Sequence, residues 1–216
     1  MATPLGPARV LLHLPGVAKP TAVLLLGHGA GGGVAAPDLH ALAIALSRRQ
    51  LAVALLEQPY RVAGRRAPAP AGQLDLAFAV VAGAVRARPE LAGVPLVSGG
   101  RSSGARVACR TAAAVGAAGV LCLAFPLVPP GRPDRSRAGE LLALDVPSLV
   151  VQGARDAFGT AADLRRALAD CAGVRVHEVA AADHAFAVRR SDRRTAAAVA
   201  DELVAVVDTW LSRLLA

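Results

Sequence analysis

Three residues in this chain have the types and the order that acyl transfer demands: Ser102, Asp156 and His184. That chemistry needs a nucleophile, a base to take its proton, an acid to orient the base, and donors to hold the oxyanion. Ser102 lies in Gly100-Arg101-Ser102-Ser103-Gly104, between the apolar run Val94-Pro95-Leu96-Val97 and an Ala-rich, helix-like stretch from Ala105 to Val115. A strand, G-x-S-x-G and helix in that order describe a nucleophile elbow, a tight turn that lifts a serine hydroxyl above a sheet. The pentapeptide alone decides little, because a plain strand-to-helix turn with serine as N-cap has the same sequence. Context decides. Asp156 follows a strand-like run in Gln152-Gly153-Ala154-Arg155-Asp156, and His184 follows another in Asp183-His184-Ala185-Phe186, ahead of the last helical stretch. Serine, then acid, then histidine, with the last two on loops after late strands, is the order such an elbow requires. Asp183 is the competing acid, but as the immediate neighbour of His184 it is read as loop structure.

The oxyanion hole is expected to use the backbone N–H of the residue after the nucleophile, Ser103, and a second N–H from the loop after an early strand. Here the run Ala22–Leu26 leads into Gly27-His28-Gly29-Ala30-Gly31-Gly32-Gly33. Its glycines leave backbone amides unobstructed. Ala30 is the expected donor, Gly31 the next choice, and His28 shapes the loop. The same stretch supports a rival reading, since it fits G-x-G-x-x-G after a strand and Glu57 ends the next strand where a ribose-binding acid would stand. Pro37 and the extra glycines separate this loop from its helix, however, and the strand-like Arg9–Leu14 precedes it, whereas a dinucleotide fingerprint usually opens its fold. His13, His40 and His177 have no partner at metal-ligand spacing and are read as structural.

Elements able to hold these residues alternate along the chain. Strands are expected at Arg9–Leu14, Thr21–Leu26, Leu51–Leu56, Pro95–Ser98, Gly119–Phe125, Ser148–Gln152 and Val174–Val179. Most are continuous apolar runs, as expected of strands covered on both faces in a parallel sheet. Helices are expected at Leu39–Arg49, Gln73–Arg88, Ser103–Val115, Arg137–Leu144, Ala161–Cys171 and Ser191–Leu215, the last with an apolar face of Val199, Leu203, Val206, Trp210 and Leu214. Gln58–Gly72 and Pro126–Pro133 read as loops too short for a separate lid. The alternation predicts an α/β, doubly wound, mostly parallel sheet, with residues 1–216 as one domain.

Composition narrows the class. Apolar residues make up 54% of the 216 but aromatics only 3%, so the core must be Ala, Val and Leu. The net charge of +8 comes from scattered arginines with no long basic block and few aromatics to stack bases, which argues against a nucleic-acid partner. Cys109, Cys122 and Cys171 are odd in number and form no C-x-x-C pair, arguing against both a disulfide framework and a zinc site. No apolar run approaches the ~20 residues of a membrane span, and no signal peptide is evident. A cytoplasmic setting without a membrane partner is expected.

With His28-Gly29-Ala30-Gly31, Glu57-Gln58-Pro59-Tyr60-Arg61-Val62-Ala63-Gly64-Arg65-Arg66 and Gly99-Gly100-Arg101-Ser102 in view, the chain resembles an α/β-hydrolase over nearly its whole length. It resembles, more narrowly, a small dienelactone-hydrolase-like group that includes testis-expressed and NSL chromatin-complex relatives. In that group the elbow usually reads Gly-Gly-Arg-Ser-Met-Gly-Gly; here Ser103 replaces the methionine and Ala105 the second glycine. The resemblance implies an α/β-hydrolase fold without a large lid and a serine hydrolase of small carboxylic esters or thioesters, needing neither metal nor organic cofactor. Tyr60 and Arg61, with Arg65 and Arg66, are expected at the site mouth, holding an anionic acyl or leaving group or merely pinning their own loop. The alternative is a catalytically silent binding or scaffold protein on the same fold.

Overall fold

The apolar runs assemble into one seven-stranded sheet, seen in a computed structural model that describes residues 1–16, 19–132 and 134–216. Its strands are β1 (Arg9–His13), β2 (Ala22–Gly27), β3 (Leu51–Glu57), β4 (Leu96–Arg101), β5 (Gly119–Leu123), β6 (Ser148–Gly153) and β7 (Val174–Val179), in the order β1-β3-β2-β4-β5-β6-β7. All neighbours run parallel except β1, which pairs antiparallel with β3 at one edge. Every residue of β2, β5 and β6 is buried, as their mainly apolar sequences favour, with Ser148 and Gln152 of β6 buried as polar exceptions.

Helices cover both faces. α1 (Pro37–Ser47) and α7 (Ala196–Leu214) pack one face through Leu39, Leu42, Leu46, Val199, Leu203 and Trp210. On the other face lie α3 (Ala71–Arg86), α4 (Ser103–Thr111), α5 (Ala138–Leu142) and α6 (Ala161–Ala167), with Phe78, Val81, Val107, Leu141 and Leu164 in the core. A one-turn α2 (Pro59–Val62) lies inside the Gln58–Gly72 stretch expected to be all loop; Pro59 at its first position pre-sets the helical φ. The fold is that of an α/β-hydrolase.

Local details differ from expectation for identifiable reasons. β4 runs three residues beyond Ser98, because Gly99 and Gly100 keep to the ladder opposite Leu121 and Cys122. α7 starts at Ala196 rather than Ser191, where the Thr195 side chain accepts the Ala198 N–H as an N-cap. Its buried face includes Val207 and Leu211, while Val206 and Leu214 are only half-buried. The far end of the Pro126–Pro133 loop, Pro133, lies outside the described residues. Among the described residues no helix is long and apolar enough to cross a membrane.

Candidate active site

The site is built at the carboxyl ends of β2, β4, β6 and β7, where parallel strands hand over to loops. Ser102, between β4 and α4, has φ 52° and ψ −111°. For a non-glycine residue that conformation costs about 1–3 kcal/mol and persists only when its surroundings enforce it. The Ser102 N–H donates to Leu123 O at 2.9 Å, tying the turn to β5. Glycines supply the rest: a Cβ on Gly100 would sit 2.5 Å from the carbonyl carbon of Gly104 and 2.6 Å from Gly27 O. The ends of β2 and β4 and the start of α4 therefore touch backbone to backbone.

The Ser102 hydroxyl donates to His184 Nε2 at 3.0 Å, and His184 Nδ1–H donates to Asp156 Oδ2 at 2.7 Å. The Asp156 carboxylate is fully enclosed, while the His184 side chain keeps 22% of its surface exposed. Buried charge needs donors, and Asp156 has them. Phe158 N–H donates to Oδ1 at 2.8 Å and Gln152 Nε2 to Oδ2 at 2.9 Å. Gln152, itself fully buried on β6, also donates to Phe125 O and Gly159 O, so it clamps the acid loop against the loop after β5. The Phe158 ring lies 4.4 Å from the imidazole, centroid to centroid, and covers one of its faces. Asp183 takes no part in this chain; its Oδ1 accepts the N–H groups of Ala185 and Ala187 and closes the histidine loop on itself.

Across the elbow, the Gly27–Gly33 loop is braced from behind. Gln58 N–H donates to His28 Nε2 at 3.1 Å, which leaves the proton on Nδ1, donated to Gly29 O at 2.8 Å. Burial pushes the His28 pKa below its ordinary value, in keeping with a neutral ring. Gly29 O also accepts Gly32 N–H, and Ala30 O accepts the Tyr60 hydroxyl at 3.0 Å. A planar trans peptide points its N–H opposite to its C=O. With both carbonyls held by the braces, the N–H groups of Ala30 and Gly31 face away from them and have no acceptor among the described residues, and neither does that of Ser103. Such groups can bind developing negative charge beside Ser102.

The structure thus brings Ser102, Asp156 and His184 together and sets Ser103, Ala30 and Gly31 with free amides. His28, expected to shape its loop, and Tyr60, expected at the site mouth, are 3% and 6% exposed and brace the Gly27–Gly33 loop. Arg61 is half-exposed and donates to Arg65 O, with no carboxylate partner among the described residues; Arg65 and Arg66 are exposed. The sequence reading had no role for Gln152, Phe158, Asp38 or Arg101. A glutamine in an otherwise apolar strand, four residues before the acid, was the one signal available. Among the described residues no cluster of three or more His, Cys, Asp or Glu side chains could hold a metal, and the Cys109 and Cys122 thiols touch at 3.4 Å in the core.

Comparison with known proteins bears on the family and the fold. No curated protein matches the sequence. Among solved structures, an α/β serine hydrolase homologue from Coxiella burnetii is similar with a TM-score of 0.76 and 17% identity, over 96% of this chain and 95% of that one. A serine hydrolase without lid from Xanthomonas campestris has a TM-score of 0.70 and 24% identity, over 96% and 91%. A dienelactone hydrolase from Anabaena variabilis has a TM-score of 0.73 and 18% identity, over 95% and 91%. A family model described as alpha/beta hydrolase domain matches residues 20–212. With the match spanning most of its length, the chain belongs to the alpha/beta hydrolase family.

Proposed function

We propose that this protein is a serine hydrolase that cleaves small carboxylic esters or thioesters through an acyl-enzyme on Ser102. The observation that carries the reading is the unbroken hydrogen-bond chain from Ser102 Oγ through His184 to the enclosed Asp156, at 3.0 and 2.7 Å. Ser102 Oγ attacks the carbonyl carbon while His184 Nε2 takes its proton, and Asp156 holds the imidazole and stabilises its positive charge. The oxyanion accepts hydrogen bonds from Ser103 N–H and from Ala30 N–H or Gly31 N–H. Collapse expels the alkoxide or thiolate, which takes the proton from His184. Water then attacks the acyl carbon, giving its proton to His184, and the acid leaves as Ser102 regains its hydrogen.

Residues 124–137, the stretch between β5 and α5, are too few for a lid domain, which favours short acyl groups. We read residues 1–216 as one functional unit in a reducing, cytoplasmic setting, acting on a small molecule rather than on nucleic acid or membrane. The Pro59-Tyr60-Arg61 segment is the basis for kinship with the testis-expressed and NSL relatives. A fluorophosphonate probe and a panel of p-nitrophenyl esters and acyl-thioesters test the proposal. Wild-type protein should be labelled on Ser102 and turn over short acyl substrates, and Ser102→Ala should lose both. No adduct on Ser102 together with no turnover would leave a catalytically silent member of the fold, and equal turnover by Ser102→Ala would overturn the acyl-enzyme on Ser102.

A further inference from the structure

Arg101, the residue before the nucleophile, sends its side chain to three separate segments. Its Nη2 donates to the backbone carbonyl of His184 at 3.1 Å, across 83 residues of sequence. Its Nε lies 3.0 Å from Oδ2 of Asp38, in the first turn of α1. Its Nη1 packs against the oxyanion loop, where a Cβ on Gly29 would come within 3.1 Å. Arg101 keeps 17% of its side-chain surface and Asp38 only 5%, so the pair is largely out of water. The Nε contact is short but bent: Oδ2 has no aligned donor and is held by charge. Burial raises the Asp38 pKa and the nearby Arg101 charge opposes that rise.

The segment around His184 has few other anchors. The hydrogen bonds of residues 183–187 otherwise close within the loop, through Asp183 and the Ala187 and Asp183 carbonyls, or run from the His184 ring to Ser102 and Asp156. Among the described residues, the bond from Arg101 is the one that ties the backbone of residues 183–187 to another element; just upstream, Arg155 holds Ala181 O and Ala182 O at 2.8 Å each. Arg101 is also covalently next to Ser102, whose strained turn fixes the direction in which the Arg101 side chain leaves.

We propose that Arg101, seated on Asp38, is a positioning residue that sets the His184 backbone relative to Ser102 and so holds the base within reach of the nucleophile. The proposal rests on the serine-hydrolase reading. A guanidinium suits the task because it serves several partners at once in a fixed plane, whereas a lysine ammonium is a single point charge. Lysine would keep the charge opposite Asp38 and lose the bond to His184 O. A displacement of about 1 Å in such a site can cost about 100-fold in rate.

The test uses Arg101→Lys and Arg101→Ala in the full chain, alongside wild type and Ser102→Ala. For Arg101→Lys, kcat for a short p-nitrophenyl ester and the fluorophosphonate labelling rate should fall by about 10- to 100-fold while KM stays within about threefold. In Arg101→Ala, added guanidinium should restore part of kcat, a rescue that a merely structural role would not show, and it should do nothing for Ser102→Ala. If wild type is labelled on Ser102 but Arg101→Lys is labelled as fast, this proposal fails and the hydrolase reading stands. Loss of kcat in Arg101→Ala without guanidinium rescue also overturns it. Wild-type protein that takes no label overturns the hydrolase reading and this proposal with it.

Discussion

Alanine at position 104 adds one methyl group where the structure has room for none. Its Cβ would stand 2.3 Å from Gly27 O, 2.5 Å from the Gly27 carbonyl carbon and 2.9 Å from His28 O. A carbon normally approaches a carbonyl oxygen to about 3.3 Å, so α4 and the end of β2 must part by roughly 1 Å. All three atoms are backbone, so no rotamer change relieves the clash. Overpacking of this kind costs about 1–3 kcal/mol, which in a chain of this size lowers Tm by about 2–4 °C per kcal/mol. The displacement falls two residues from Ser102 and one from the Ser103 amide, so the rate of fluorophosphonate labelling should drop by about 100-fold. Thermal denaturation and labelling kinetics read the two effects separately. Gly83→Ala is the matched control, because its Cβ meets nothing within 4 Å on the exposed side of α3. That change should raise stability by about 0.5–1 kcal/mol and leave labelling alone. A Gly104→Ala protein with wild-type Tm and wild-type labelling rate would refute the claim that backbone contact at Gly27 shapes the elbow.

Two further outcomes follow from the braces behind the Gly27–Gly33 loop. Tyr60→Phe removes the 3.0 Å bond to Ala30 O without opening a cavity; kcat for a p-nitrophenyl ester should fall by about fivefold, equivalent to ~1 kcal/mol, with KM unchanged, and an unaltered kcat would show that the loop holds itself. His28 is neutral when folded and its pKa is depressed below 6.5 by burial. The unfolded chain therefore binds the proton more readily, so the stability His28 contributes is present above the ordinary imidazole pKa and is lost as pH falls through the folded value. Thermal denaturation between about pH 7.5 and about pH 5 should show a steeper loss for wild type than for His28→Gln; parallel curves would exclude His28 as the source.

Much of the fold was legible because its signals are local. Apolar runs such as Leu51–Leu56 and Ser148–Gln152 read as strands covered on both faces, and that is where β3 and β6 lie. The antiparallel pairing of β1 with β3 was not legible, since strand direction depends on which partner a segment meets. The one-turn α2 was missed because a single turn offers too few residues for helical periodicity to register. The α7 face was slightly misread, with Val207 and Leu211 taking the depth expected of Val206 and Leu214, because a long helix can rotate a little against a sheet without breaking its pattern.

For the candidate site, the sequence by itself determined the inventory: a serine framed by glycines after a strand, an acid and a histidine in the required order, and a glycine loop after an early strand. Each is a property of neighbours in the chain, where backbone geometry and residue type act over a few positions. Tertiary structure alone decided which partners meet. The parallel register of β2 against β4 puts Gly27 beside Gly100, and Arg101 reaches His184 only because β7 and the elbow open onto the same end of the sheet. Tyr60 braces Ala30 across 30 residues, and Gln152 clamps Asp156 to the loop after β5. These are contacts between side chains and distant backbone, whose geometry exists only once the crossovers have stacked the strands.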